Sequence, residues 1–199
     1  MTLDTIPSTA TSGVGLPEIL RPLASYIHFL KENECMRLNK MAAAVYMTCQ
    51  GTLFFLSGEE FARTKDGQDN TFKAPITLNR LDWEKAWENK ELVRYQGLIA
   101  LRKQLSGLCD KSKDSYKQIT DMWKEKDVIG FTVLNDKKAR WSQVKIIYNA
   151  RKSSYKVKFL NDVWEILSDA DDSWCWKKGI CADRQIEAAP QSVLILGRK

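Results

Sequence analysis

The residues best suited to acid–base chemistry sit together at Glu59 and Glu60, at the end of the apolar run LFFL and just before Phe61. Hydrolases that cleave between sugars use two carboxylates as acid and base, but adjacent residues on an extended backbone point to opposite faces and cannot flank one scissile bond. The expectation is that one glutamate caps or braces the end of the preceding segment while the other faces a loop. Asp69 and Asp82 are the other carboxylates that could border a cleft, and Asp82 is equally suited to be the N-terminal cap of a helix beginning at Trp83. His28, the only histidine, is followed by Phe29 and has no catalytic partner nearby in sequence. Five cysteines (Cys35, Cys49, Cys109, Cys175, Cys181) form an odd set without a CxxC pair, which argues against a zinc site or a disulfide framework. Reduced thiols are favoured over a Cys175–Cys181 bridge. No acidic cluster supplies the oxygen ligands of a calcium ion, so neither metal nor cofactor is expected.

Seven tryptophans raise the question of sugar stacking. Most are expected in the core, Trp164 by inward alternation along a strand. Trp174 and Trp176 differ because residues two apart on a strand share a face; they read as a plug at a sheet corner or as a platform for carbohydrate.

The elements that must position these residues change character along the chain. Residues 1–31 open with a run of Thr, Ser, Pro and Gly and are read as a poorly ordered arm. Residues 32–50 carry apolar side chains at helical spacing, with Ala42, Ala43 and Ala44 suited to close packing, and Gly51 stops the helix. Residues 52–57 are apolar on both faces, as in a covered parallel strand. A long loop follows from Gly58, then a second amphipathic helix over 90–106 ended by Gly107. Beyond 110 the period falls to that of strands, after a weakly helical stretch at 115–123. Strands over 128–134, 144–149, 155–159, 163–166 and 192–196 suggest an antiparallel sandwich. The fold class is thus α/β followed by all-β, with segments 1–31, 32–109 and 110–199.

With 44% hydrophobic and 28% charged residues the chain is globular rather than disordered. The net charge of +6 comes from Lys and Arg interleaved with acids, which predicts a solvated basic surface and no nucleic-acid partner. No run approaches the roughly twenty apolar residues of a membrane span, and the start lacks the basic-then-apolar order of a signal peptide. No membrane partner is expected; localisation stays open, with the cytoplasm slightly favoured.

A resemblance adds to this reading. ENECMRLNKMAAAVYMTCQG (32–51), FFLSGEEFARTK (54–65), DNTFKAP (69–75), LDWEKA (81–86), LVRYQGLIALRK (92–103), IIYNA (146–150) and APQSVLIL (189–196) resemble, in order and spacing, the type I pullulanase branch of glycoside hydrolase family 13 in the α-amylase superfamily. The resemblance implies the end of a (β/α)8 catalytic barrel, residues 52–57 being its eighth strand, followed by an antiparallel C-terminal β-sandwich. It implies a substrate rim at Gly58, Glu60, Asp69 and Phe72, an α-glucan partner, and hydrolysis of α-1,6 linkages in pullulan, starch or glycogen. The family's catalytic Asp, Glu and Asp stand on strands four, five and seven, so no catalytic residue is assigned here. A barrel takes roughly 250 residues, which makes this sequence read as a truncated or frame-shifted gene product, inactive alone. The alternative is a non-catalytic carbohydrate-binding or scaffold module; a poorly folded pseudogene product is a third reading. The family's usual tyrosine is Phe72 here, which removes a hydroxyl contact to sugar of about 1 kcal/mol.

Overall fold

The alanine-rich segment is helical as predicted: helix α1 spans Glu32–Met47 and buries Leu38, Ala43, Ala44 and Met47. In the computed structural model residues 32–61, 63–88, 91–171 and 181–199 are described. After α1 the chain turns at Gly51, whose φ of +96° lies in the left-handed region that glycine enters without strain. The expected strand over 52–57 is not formed; these residues belong to no strand of the sheet, and Phe54 is 71% exposed. A strand exists only through its ladder, and an apolar run satisfies the pattern without supplying one.

The helices that follow are α2 (Ile76–Asn79), α3 (Trp83–Glu88), α4 (Glu91–Arg102) and α5 (Ser106–Cys109). The stretch read as weakly helical divides into a 3-10 turn, Ser115–Gln118, and a strand, β1 (Ile119–Glu125). Then come β2 (Val128–Leu134), β3 (Gln143–Asn149), β4 (Tyr155–Ser168), β5 (Cys181–Ala188) and β6 (Ser192–Arg198). The two strands expected at 155–159 and 163–166 are one, β4, and β5 was not foreseen.

All pairings are antiparallel, in the order β1-β2-β3-β6-β4-β5. Register assigns the faces. Gly130, Ile147 and Leu194 stand opposite one another on one face, and Phe131, Ile146 and Ile195 on the other. On the first face Val128, Ile147, Leu194 and Leu196 pack with Val157, Phe159, Trp164 and Ala188. The sheet curls over this cluster, so that Trp123 of β1 stacks on Tyr155 of β4 with ring centroids 5.6 Å apart. The second face meets helices. A Cβ at Gly107 in α5 would lie 2.7 Å from Val133 Cγ1, which shows how closely that helix backbone approaches β2. Thr48 donates its hydroxyl to Ala44 O at 2.7 Å, and the Tyr148 hydroxyl donates to Thr48 at 2.8 Å. Burial pushes the Tyr148 phenol well above its ordinary pKa.

By backbone packing the chain forms two compact units. The smaller holds Phe54–Val93 with residues 32–36 among those described; the larger holds Arg37–Leu53 and Arg94–Lys199. Within the larger unit Arg102 closes the end of α1: its guanidinium donates to Met47 O and Cys49 O at 2.7 Å and to Gly51 O at 2.6 Å. These are carbonyls that a helix end leaves without partners, and a cation there also complements the helix dipole. We expect Arg102→Met to destabilise the chain by about 2–4 kcal/mol in urea unfolding. Arg102→Lys should lie between the two, because one ammonium reaches fewer carbonyls than a guanidinium fork.

Candidate functional site

In the smaller unit the loop that follows Phe54 is shaped by glycine and by side chains that bond to backbone. Gly58 has φ +99°, and a Cβ there would lie 2.5 Å from Arg63 Cδ, so a side chain at this position would be strained and would displace Arg63. Its carbonyl accepts from the Arg63 amide at 2.9 Å, and its own N–H donates to Glu60 Oε2 at 2.9 Å. Glu60 thus braces the turn, a role the residue order left open between the two glutamates. Glu59–Phe61 forms one 3-10 turn, so the two carboxylates leave a tight turn rather than a strand. Burial raises the Glu59 carboxyl above its ordinary pKa; a backbone hydrogen bond from Leu56 works against this, and the Glu60 charge adds to it. Phe61 is buried and its ring lies 5.9 Å from that of Trp83.

Asn79 organises the rest of the loop. Its side-chain amide donates to Thr71 O at 2.8 Å and Ala74 O at 3.2 Å. Arg63 donates to the Asn79 carbonyl, and the buried Lys65 ammonium donates to Asn79 Oδ1. Arg63 also holds Ser57 O at 3.0 Å. Burial and then the Arg63 charge lower the Lys65 pKa. Asp66 (φ +52°) and Gly67 (φ +74°) turn the chain back, with the Asp66 amide donating to Thr64 Oγ1 at 2.9 Å. Asp82 stands at the N-cap position of α3, where its carbonyl accepts from Ala86 N–H at 3.2 Å.

Of the rim residues read from sequence, Gly58 and Glu60 come together as the frame of the loop, while Asp69 and Phe72 stand out on it. Phe72 is 81% exposed, with the Lys73 ammonium 5.5 Å from its ring centre. A flat ring, a carboxylate and an ammonium on a braced loop can stack on a sugar and bond to its hydroxyls. Trp174 and Trp176 lie outside the described residues, as does His28. Cys49 and Cys109 are free thiols. Among the described residues no group of three His, Cys, Asp or Glu could hold a metal ion, and no helix is long and apolar enough to cross a membrane. The larger unit carries an open cleft of about 430 Å³ beside Trp141, Glu165 and Arg198. Trp141 is buried and donates to Glu165 Oε2 at 2.7 Å, so its indole is a wall rather than a stacking platform.

Comparison with known proteins follows from these features. No family model matches the chain. A pullulanase of Bacillus subtilis (strain 168) is 29% identical over 145 residues, covering 70% of this chain and 20% of that protein. Among solved structures, pullulanase from Bacillus acidopullulyticus matches with TM-score 0.77 and 24% identity, over 100% of this chain and 23% of that one. The chain is similar to a portion of a pullulanase. An Anoxybacillus sp. LM18-11 pullulanase complexed with maltotetraose matches with TM-score 0.74 and 21% identity, over 91% of this chain and 25% of that one. The pullulanase-like chain thus spans about a fifth to a quarter of the length of these relatives.

Sequence reasoning did not single out Asn79, Arg63 or Lys65 individually. Their bonds join residues far enough apart that no periodicity reveals them; the only signal was that Arg63 and Lys65 belong to the GEEFARTK motif. Asn79→Ala should speed amide hydrogen exchange over residues 71–74 by about tenfold or more while leaving the sheet's exchange unchanged. Glu59 titrates in a way that fixes a sign. Its folded pKa lies above the ordinary 4.5, so between the two values the folded form holds a proton that the unfolded chain has released. Stability therefore falls as pH rises through that window and stays lower above it. Glu59→Gln should stabilise the loop at neutral pH and make no difference well below 4.5, read by hydrogen exchange at the two pH values.

Proposed function

We propose that this chain is the C-terminal portion of a pullulanase-like glycoside hydrolase of family 13, acting on α-1,6 linkages of pullulan, starch or glycogen only as part of a larger catalytic assembly. The observation that carries this reading is the 29% identity over 145 residues to a pullulanase of which those residues make up 20%. In this reading residues 32–109 are the last part of a (β/α)8 barrel and 110–199 a C-terminal β-sandwich. The curled antiparallel sheet, with Trp123 of β1 meeting Tyr155 of β4, supports the second assignment. The loop braced by Glu60 and Asn79 is then a rim at the C-terminal end of the barrel strands, where such enzymes carry their active sites. Gly58 and Glu60 set its shape, and Asp69 and Phe72 contact the glucan. The carboxylate triad that would cleave the glycosidic bond belongs to the part of the barrel that this chain does not contain. The chain's contribution is to hold a face of the glucan, by ring stacking and by carboxylate bonds to hydroxyls, while the scissile linkage sits in the rest of the barrel.

Two measurements test this. The purified chain alone should release no reducing sugar from pullulan, and turnover that persists through repurification would refute the proposal. A chimaera in which this chain replaces the matching segment of the Bacillus acidopullulyticus pullulanase should retain debranching within about a hundredfold of the parent. In that chimaera Phe72→Ala should raise KM for pullulan more than it lowers kcat. A soluble, folded chimaera without activity would count against the assignment.

A further inference from the structure

The sequence contains a single Asp–Gly step, Asp66–Gly67, and it stands in the braced loop of the smaller unit. Both residues have positive φ, +52° and +74°, and Gln68 N–H donates to Lys65 O at 3.0 Å, which makes Lys65–Gln68 a tight turn of the I′ kind. An aspartate followed by glycine is prone to close on itself, because glycine has no side chain to shield its amide nitrogen from the preceding carboxyl. The surroundings permit that closure. Residues 66–70 are all exposed, and a Cβ built on Gly67 would meet nothing within 4 Å outside its chain neighbours, so a ring can form there without displacing other residues. What holds the turn is slight: the Lys65–Gln68 bond and the Thr64 hydroxyl, which accepts from the Asp66 amide at 2.9 Å and donates to Asp66 Oδ1 at 3.4 Å. Asp121 (φ +47°) and Asp127 (φ +58°) share the left-handed backbone and the exposure, but Met122 and Val128 follow them, and those side chains crowd the amide nitrogen.

We propose that Asp66–Gly67 is a self-modification site, at which the main chain passes through a cyclic imide into an isoaspartyl linkage that resets the loop. The steps balance with water alone. The Gly67 nitrogen gives up its proton and bonds to Asp66 Cγ as the acid form of that carboxyl loses its hydroxyl, so one water leaves and a five-membered succinimide remains. Water then adds at the former backbone carbonyl of Asp66 and breaks its bond to nitrogen, which leaves Gly67 attached through Cγ and a carboxylate on Cα. The mass is unchanged, but the main chain now runs through Cβ and is one atom longer. That atom lies between Lys65 and Gln68, so their hydrogen bond loses its register. The Lys65 ammonium donates to Asn79, and Asn79 donates to Thr71 O and Ala74 O, so the change reaches the segment that carries Phe72. The modification stands apart from the functional reading; its effect on glucan rests on that reading.

The experiment keeps the purified full chain at physiological temperature for several weeks and reads isoaspartate at each aspartate by fragment-ion mass spectrometry of a tryptic digest. The folded chain should isomerise at residue 66 within about a hundredfold of the rate in guanidinium-unfolded chain, because exposed loops open at low free energy. Isoaspartate at Asp121 and Asp127 should stay about tenfold lower or less. Asp66→Glu should abolish the product at this position, since its imide would be a six-membered ring that closes more slowly. In the isomerised fraction, amide exchange over residues 65–74 should be about tenfold faster or more, with the sheet unchanged. Isomerisation confined to the unfolded chain, equal accumulation at Asp121 or Asp127, or unchanged exchange in the isomerised loop would each overturn the proposal. In the chimaera already described, the same incubation should raise KM for pullulan, and Asp66→Glu should prevent the rise. A folded chimaera without activity that isomerises at residue 66 would sink the functional reading and leave the modification standing. An active chimaera that forms no isoaspartate there would do the reverse.

Discussion

Four backbone carbonyls, those of Met47, Cys49, Gly51 and Leu108, face a single guanidinium, that of Arg102, and the larger unit depends on that meeting. A helix ending in a protein interior presents acceptors that nothing in its own backbone can satisfy, and each costs free energy if left dry. Arg102 satisfies them from the last turn of α4, so the ends of two helices are fixed against each other by one side chain. Gly51 N–H then donates to Leu108 O at 2.9 Å, and Gln50 donates to Gly107 O at 3.0 Å, which ties the turn after α1 to α5. With α5 fixed, Gly107 can approach β2, and Gly107 N–H reaches Asn135 Oδ1 at 3.0 Å. Helices and sheet meet through polar bonds at their ends and apolar packing between.

The smaller unit follows another logic. Where the larger one buries two layers of aliphatic side chains, this one relies on Glu60, Arg63 and Asn79 to impose a loop conformation through bonds to specific carbonyls and amides. Such bonds are directional, so they define the loop's shape, and Phe72 projects from it. In a loop shaped this way the displayed groups need not also serve as core.

How much of this could be read from the residues varies with the kind of constraint. Helix α1 was legible because its apolar spacing is helical and Gly51 supplies a stop; β2 was legible to its end residues because VIGFTVL is a short β-branched and aromatic run between turns. Strand β1 was misread because the register shifts between Thr120 and Trp123, with Asp121 at φ +47°, and this breaks the alternation that marks a strand. The same cause split β4 in two, since its pairing with β5 shifts between Lys158 and Val163. Strand β5, CADRQIEA, has too few apolar residues for any periodicity to show. At the site, the alternation argument assumed an extended backbone, and the 3-10 turn over Glu59–Phe61 replaces that premise, so which glutamate braces the loop was not legible. Asn79 was invisible because its work is done through the carbonyls of Thr71 and Ala74, which every residue type possesses.

Strand β6 runs between β3 and β4, and its residues from Ser192 to Gly197 are all buried. It is the last strand in chain order, yet the sheet cannot be continuous without it. During synthesis, β1, β2 and β3 can zip as a meander, and β4 can pair with β5, but the two groups remain separate until residues 192–198 clear the ribosome. Until then Ile146 and Ile147 lie on an open strand edge. The nascent chain thus carries a temporary sticky edge for as long as the last strand is delayed, and the speed of translation through this region becomes part of how safely the protein reaches its fold.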